Sequence, residues 1–255
     1  MNLHITAAYY SPTGGCRKTA VGLAAALAAP TKPAELDLSC PGGPAPREFG
    51  PDDLVVFTGP VFGGRLIRSM PDTLKALKGN GALAVAGAVY GNRAYEDAMV
   101  ELADLLTAQG FRVIAGTALL AEHSLVRTVA AGRPDAQDLV CYDRFAADIR
   151  KKLEAGDFSL PELPGNRPYK EWKQGAFVPA PTAGCTHCGL CAARCPVNAI
   201  DPDSVLTDPA RCVICMRCVS ECPEQARAIP ESVSQTMGQK LGPLAGIYKE
   251  NELYL

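Results

Sequence analysis

The feature of this 255-residue sequence that most constrains its fold is a repeat of four cysteines. "CTHCGLCAARCP" begins at Cys185 and "CVICMRCVSECP" begins at Cys212, so each cysteine has a counterpart 27 residues later. Both stretches read C-x2-C-x2-C-x3-C-P, a spacing by which bacterial proteins hold iron–sulfur clusters. The repeat therefore predicts a small module built around two metal clusters.

The spacing also predicts which cysteines share a cluster. Three closely spaced cysteines wrap one cubane, and the fourth, a helical turn further on, ligates the other cluster. We therefore expect two [4Fe–4S] clusters with crossed ligands. The first cluster takes Cys185, Cys188, Cys191 and Cys222, and the second takes Cys212, Cys215, Cys218 and Cys195.

Two other uses of cysteine fit the sequence less well. Disulfide frameworks belong mainly to short secreted chains. Structural zinc also favours C-x2-C, but it needs four ligands per site, commonly as two separated pairs, and not two triplets each followed by C-P. Of the remaining cysteines, Cys40 and Cys141 are expected to be small buried apolar residues.

Composition limits the partners and the location. The chain is 47% hydrophobic and 20% charged, with a formal net charge of −2, so it has no basic excess for nucleic acid or an anionic membrane surface. The start "MNLHITAAYY" is unlike a signal peptide, and no apolar run approaches the roughly 20 residues of a membrane helix. We therefore expect a cytoplasmic protein with no nucleic-acid partner and no membrane insertion. Redox partner proteins are expected, and a homodimer stays open.

The first 154 residues alternate strand and helix patterns. Apolar runs at 3–10, 54–59, 82–90 and 111–121 are typical of strands covered on both faces. Between them lie helical patterns, the last from about Pro134 to Leu153 with Leu139, Tyr142, Phe145, Ile149 and Leu153 facing inward. Such alternation predicts an α/β fold with a doubly wound parallel sheet, which binds ligands at the carboxyl ends of its strands.

Three loops follow those strand ends. "YSPTGGCRKT" (10–19) joins the first strand to the first helix. Its hydroxyls, its two glycines and the helix N-terminus predict an anion cradle. "GPVFGGRL" (59–66) and "YGNRAYEDA" (90–98) follow later strands. "RKT" at 17–19 lacks the glycines of a nucleotide-binding P-loop, and "GNGALA" (79–84) precedes a strand, so it is expected to form a structural turn and not a dinucleotide site.

In these loops the chain resembles flavodoxins. Their phosphate loop reads T/S-x-T-G-x-T, and Ser11, Thr13 and Gly14 match it; Gly15 stands at the variable position and Cys16 in place of the final threonine. The resemblance implies FMN, with its phosphate on this loop. It also implies that the later loops flank the isoalloxazine ring. The contacts implied there are Pro60, Val61, Phe62, Gly63, Gly64, Tyr90, Gly91, Asn92, Arg93 and Tyr95.

The whole order resembles the flavodoxin–ferredoxin fusion family, including a "PGNRPY" linker. We expect a flavodoxin-like domain over 1–154, a linker over 155–180 and a small α+β two-[4Fe–4S] ferredoxin domain over 181–230. Residues 231–255 are expected to form a tail. Its apolar residues predict packing on the ferredoxin module, on the flavodoxin-like half or on a second subunit.

Clusters transfer single electrons, whereas a flavin can exchange two. A chain that holds both cofactors would therefore convert between one-electron and two-electron transfer. The leading hypothesis is an electron carrier between two [4Fe–4S] clusters and FMN, coupled to a redox partner. One alternative is an FMN-dependent small-molecule reductase that receives its electrons from the clusters. Another is a carrier whose flavodoxin half has lost its flavin. This second alternative stays open because Cys16 replaces the usual threonine of the phosphate loop. No catalytic residue and no NAD(P)H site can be assigned from the sequence.

Overall fold

The structure, a computed structural model, describes residues 3–173 and 175–255. The strands are β1 (His4–Tyr9), β2 (Ala34–Asp37), β3 (Arg47–Glu48), β4 (Asp53–Phe62), β5 (Arg65–Leu66), β6 (Leu77–Lys78), β7 (Leu83–Tyr90), β8 (Arg112–Leu120), β9 (Ala180–Pro181), β10 (Arg227–Ala228) and β11 (Glu252–Tyr254). The α-helices are α1 (Gly15–Ala28), α2 (Met70–Leu74), α3 (Ala98–Ala108), α4 (Ala136–Glu154), α5 (Leu190–Ala193), α6 (Arg217–Ser220) and α7 (Glu231–Leu241), and a 3-10 helix covers Gly242–Gly246.

The main sheet has the strand order β11-β8-β7-β4-β1-β2. The five strands from β8 to β2 pair in parallel. Counted along the chain without the short strands, their order is 2-1-3-4-5, which is that of flavodoxin-like doubly wound sheets. Two apolar cores cover the sheet, one with α1 and α4 and the other with α2 and α3. The predicted α/β class is therefore confirmed.

Two local predictions need correction. The strand expected over 54–59 runs from 53 to 62 and folds back on β5, so part of the predicted loop 59–66 is a hairpin. Leu139 does not face inward: it is 51% exposed. The inward position of the first turn of α4 belongs instead to Asp138, which is buried and paired with the guanidinium of Arg133.

The cysteine repeat forms a compact module closed by the antiparallel pair β9–β10. The backbone follows the same 27-residue repeat as the sequence. His187 and Ile214 are both left-handed, and so are Asn198 and Gln225. The ion pair between Arg194 and Glu221, with 3.0 Å between Nε and Oε2, joins equivalent positions of the two halves. The module therefore has approximate internal symmetry.

Residues 166–170, in the segment after α4, pack on the first domain. Asp97 accepts the backbone N–H groups of Asn166 and Lys170 at 2.9 and 2.7 Å. The Arg167 guanidinium pairs with Asp104, 2.6 Å away. These contacts hold the segment along α3.

The C-terminal tail returns to the first domain. After α7 and the 3-10 helix, β11 pairs antiparallel with β8, with Leu253 opposite Thr117. The tail therefore covers an edge of the main sheet of its own chain. None of the described helices is both long enough and apolar enough to cross a membrane.

Candidate cofactor site

The first loop has the geometry of an anion cradle. The Ser11 hydroxyl oxygen accepts the backbone N–H of Arg17 at 2.9 Å, which curls the loop over the start of α1. Gly14 has φ +89, and a Cβ there would point into open space. The first backbone N–H groups of an α-helix lack intrahelical acceptors. Those of Gly15 and Cys16 are therefore free to bind an anion beside Gly14.

Gly15 is needed for a different reason. A Cβ at this position would lie 2.9 Å from the Cβ of Ala121, which follows β8. The backbone of α1 thus approaches the end of β8 more closely than a side chain allows. Cys16, in place of the usual threonine, is buried, and that burial raises the pKa of its thiol. It behaves as a small apolar residue of the core.

A cavity of about 60 Å³, which opens to solvent, lies beside this loop, at the carboxyl ends of β1, β4, β7 and β8. Among the predicted residues, it is lined by Ser11, Thr13, Gly15, Cys16, Pro60, Val61, Phe62, Tyr90 and Gly91. The structure thus brings residues of all three loops together. The phosphate cradle is at one side, and the rings of Phe62 and Tyr90 provide apolar walls. Burial raises the pKa of Tyr90 to about 12, so its hydroxyl stays neutral.

The other predicted contacts lie elsewhere. Gly63 and Gly64 form the turn between β4 and β5, with φ of +61 and +89. Their left-handed backbone, which glycine adopts without cost, explains their type without a ligand.

Three residues of the third loop bind the protein itself. The Asn92 amide N–H₂ donates to the carbonyls of Leu244 and Ile247 at 2.9 and 2.7 Å. The Arg93 guanidinium pairs with Glu96, 2.6 Å away. The Tyr95 hydroxyl lies 2.7 Å from that of Tyr254. This half of the loop binds the tail and its own Glu96, and it does not line the cavity.

A fourth segment, 121–124 after β8, also lines the cavity and was missed by sequence analysis. Its histidine has a defined tautomer. Nδ1 of His123 accepts the backbone N–H groups of Leu125 and Val126, both at 3.1 Å, so the proton of the neutral ring lies on Nε2. Burial, and then the charge of Arg93, lower the pKa of His123. Its position directly after a parallel strand could have identified this segment from the sequence, because such sheets bind ligands at the carboxyl ends of their strands.

Of the eight thiols of the cluster module, two are buried, one is exposed and five are half-buried. Cys195 is buried and packs with Cys185, Cys191, Cys212 and Cys218. Burial and then the charges of neighbouring thiolates, Cys195 among them, raise the pKa of Cys215 to about 12 and that of Cys218 to about 11. Cys195 thus lies near thiols of both triplets. Cys188, of the first triplet, is exposed.

Hydrogen bonds to sulfur also repeat in the two halves. The backbone N–H of Ala199 donates to Sγ of Cys195 at 3.2 Å, and that of Ala226 donates to Sγ of Cys222 at 3.3 Å. Such N–H···S bonds are among the features that set cluster potentials. Within the described ranges, no three or more His, Cys, Asp or Glu side chains converge as they would around a single metal ion.

The two halves of the molecule meet at the cavity. Cys215, a predicted ligand of the second cluster, lines it together with Ser11, Phe62 and Tyr90. Cys215 is 9% exposed and belongs to the apolar core on that face of the main sheet. The second cluster site and the cavity therefore share a wall.

Residues 184–226 match the 4Fe-4S dicluster domain family. No curated protein gives a significant match. Among solved structures, a flavodoxin from the domain Archaea is 14% identical, with a TM-score of 0.41; the match covers 59% of this chain and 98% of that one. A metal-soaked Flv1 flavodiiron core from Synechocystis sp. PCC6803 is 16% identical, with a TM-score of 0.42, and the match covers 61% of this chain and 37% of that one. The first domain's fold is assigned from its strand order and not from these two similarities.

Proposed function

We propose that this chain, a fusion of a flavodoxin-like domain with a 4Fe-4S dicluster domain, carries electrons between two [4Fe–4S] clusters and FMN for a redox partner protein. The observation that carries the proposal is the shared wall: Cys215 lines the cavity that the phosphate cradle opens into. A cluster held there would be in close contact with a flavin in the cavity.

The residues of the cavity suit the parts of FMN. The cradle formed by Ser11, Thr13 and Gly14 would hold the phosphate, because its backbone can approach closely and a helix N-terminus faces it. Phe62 and Tyr90 would flank the ring, and Nε2–H of His123 is a neutral donor on the cavity wall. When bound, a flavin accepts two electrons and exchanges them singly with one-electron centres.

We propose that the first cluster exchanges electrons with the partner. Its ligand Cys188 is exposed, and the neighbouring Leu190 is 38% exposed. The predicted ligands of the second cluster include Cys195 and Cys215, which are both buried, and Cys215 lines the cavity. We therefore propose the order partner, first cluster, second cluster, flavin cavity, in whichever direction electrons flow. We propose a cytoplasmic location, because none of the eleven cysteines forms a disulfide, which suits a reducing compartment.

Cofactor content tests this proposal. Protein purified anaerobically should contain about eight irons and eight acid-labile sulfides per chain, together with one FMN. Two irons or fewer with stoichiometric zinc would contradict the cluster assignment. Full iron with no flavin after incubation with FMN would contradict the flavin assignment and favour a carrier that has lost its flavin.

A second candidate function, reduction of a small molecule, is favoured by a groove next to the cavity. The groove shares Val61, Phe62, His123 and Ser124 with it. Lys173 and Lys240 also line the groove, together with the acidic Glu171, and neither lysine forms an ion pair within the described ranges. An anionic acceptor such as 4-nitrobenzoate should then reoxidise the reduced holoprotein without a partner protein, faster than 4-nitrobenzamide does. Equal rates for the two compounds would remove this candidate.

A further inference from the structure

Arg217 is the residue that most directly joins the two domains. It is the first residue of α6 and lies between the predicted ligands Cys215 and Cys218. Its side chain is only 3% exposed, although it carries a charge. Buried charges are costly unless they are paired and hydrogen-bonded. The partners of Arg217 therefore indicate what this residue does.

The guanidinium of Arg217 leaves its own domain and binds the phosphate loop. Nη2 donates to the Ser11 carbonyl at 3.2 Å, and Nε donates to the Pro12 carbonyl at 3.3 Å. Within its own domain the guanidinium contacts the Arg194 carbonyl at 3.4 Å and the Glu221 carboxylate at 3.6 Å. A side chain of the cluster module thus binds two backbone carbonyls of the anion cradle.

A second set of contacts passes through Ser39. Its carbonyl accepts Nη1 of Arg217 at 2.5 Å, and its hydroxyl oxygen accepts Nη2 at 2.6 Å. The same hydroxyl oxygen accepts the backbone N–H of Ser11 at 3.2 Å and donates to Asp37 at 2.6 Å. Ser39 therefore relays the position of Arg217 to the first residue of the cradle.

Internal symmetry shows that the cluster fold does not itself require this arginine. The position equivalent to Arg217 in the first repeat, 27 residues earlier, is Leu190, which is 38% exposed. The two halves are otherwise alike in spacing and in their left-handed backbone positions. The two repeats therefore differ at the position of Arg217, and this is where the cluster module contacts the phosphate loop.

The backbone that positions Arg217 is short and locally strained. Helix α6 has only four residues, too few to be stable alone. The residues before it, Ile214 and Met216, have φ of +54 and +65. Left-handed backbone is unfavourable for a non-glycine residue, so this conformation persists only where the surroundings impose it. Ligation of Cys212, Cys215 and Cys218 would impose it.

We propose that Arg217 couples occupancy of the second cluster site to FMN affinity, as a positioning residue that holds the phosphate loop in its binding conformation only when the cluster is present. The inference rests on the proposed function for the identity of the flavin. Coupling between sites is reciprocal, so bound FMN would equally slow loss of the second cluster.

The test is the dissociation constant of FMN, measured by flavin fluorescence and equilibrium dialysis for the full chain with clusters intact and after chelator bleaching. We expect the wild-type chain to bind FMN about 10-fold to 100-fold more weakly after bleaching, within the usual range of coupling between sites. In Arg217→Gln this ratio should fall towards one. Leu190→Ala, the symmetry-matched control, should keep the wild-type ratio.

Ser39→Ala tests the coupling from the flavodoxin-like side, in case Arg217→Gln assembles no clusters. It removes the Ser39 hydroxyl that accepts Nη2 of Arg217 and leaves the cysteine module unaltered, so its iron content should be normal while the affinity ratio falls. An unchanged ratio in Ser39→Ala and Arg217→Gln would overturn the proposal. Equal FMN affinity of wild-type protein with and without clusters would also overturn it. A chain that binds no FMN in either state would instead contradict the proposed function.

Discussion

Asn251 is the residue through which the C-terminal tail can be released with the least disturbance elsewhere. It is buried just before β11. Its amide oxygen accepts the backbone N–H of Leu120 at 2.8 Å, and its N–H₂ donates to Asp138 at 2.6 Å. Asn251→Ala removes both bonds and leaves the buried N–H of Leu120 without a partner.

The size of the effect follows from these two bonds. A buried polar group left unsatisfied costs about 1–3 kcal/mol, and a hydrogen bond to a charged group contributes about 1.5–3 kcal/mol. Because Asp138 keeps its ion pair with Arg133, we take values near the lower ends and expect about 3 kcal/mol. At 1.4 kcal/mol per factor of ten, local opening of β11 should become about 100-fold more populated.

Hydrogen exchange measured by mass spectrometry reads this opening directly. The amides of β11 should lose about 100-fold of their protection in Asn251→Ala, while those of β4 and β7 in the centre of the sheet keep theirs. Glu250→Ala, at the exposed neighbouring position, should leave β11 unchanged. If protection of β11 is unaltered in Asn251→Ala, the tail is held by other contacts and the reasoning is wrong.

Three further predictions concern the cofactor sites. Gly14→Val should abolish FMN retention and leave iron content unchanged, since φ +89 disfavours valine and the loop would lose its binding conformation; full flavin content in the variant would contradict the loop assignment. Cys195→Ala should damage the cluster of Cys212, Cys215 and Cys218, and site-resolved spectroscopy showing damage at the other cluster would reverse the crossed ligand set. The lowered pKa of His123 means that the folded state binds this proton less readily than the unfolded state, so stability at this site is present above about pH 6.5 and is lost as pH falls below it. Amide exchange at Leu125 and Val126 should accelerate from pH 7 to pH 5 beyond the intrinsic dependence, and the excess should vanish in His123→Asn.

The cluster module was the part most readable from sequence, because ligand chemistry fixes cysteine spacing. The match of residues 184–226 to a 4Fe-4S dicluster domain agrees with the repeat. The parallel sheet was predictable for a similar reason: strands buried on both faces form continuous apolar runs. The cradle at Ser11–Gly15 followed from glycines and hydroxyls at a strand–helix junction.

The hydrogen-bond partners of the third loop could not be predicted from the sequence. Asn92 and Tyr95 are polar residues after a strand end, which is typical of ligand contacts, yet their hydrogen bonds go to the tail about 150 residues later. A short motif cannot distinguish a ligand from a distant segment of the same chain as the partner of a side chain. Arg217 was missed for the same reason, since its oxygen partners lie in another domain.

The central claim is that clusters and flavin exchange electrons within one chain. Anaerobic stopped-flow reduction of the full holoprotein by dithionite, followed at the flavin and cluster absorbances, tests it most directly. The account predicts that the flavin is reduced through the clusters at a rate independent of protein concentration, because Cys215 forms part of the cavity wall. A rate of flavin reduction that rises in proportion to protein concentration would show exchange between separate molecules and contradict the account.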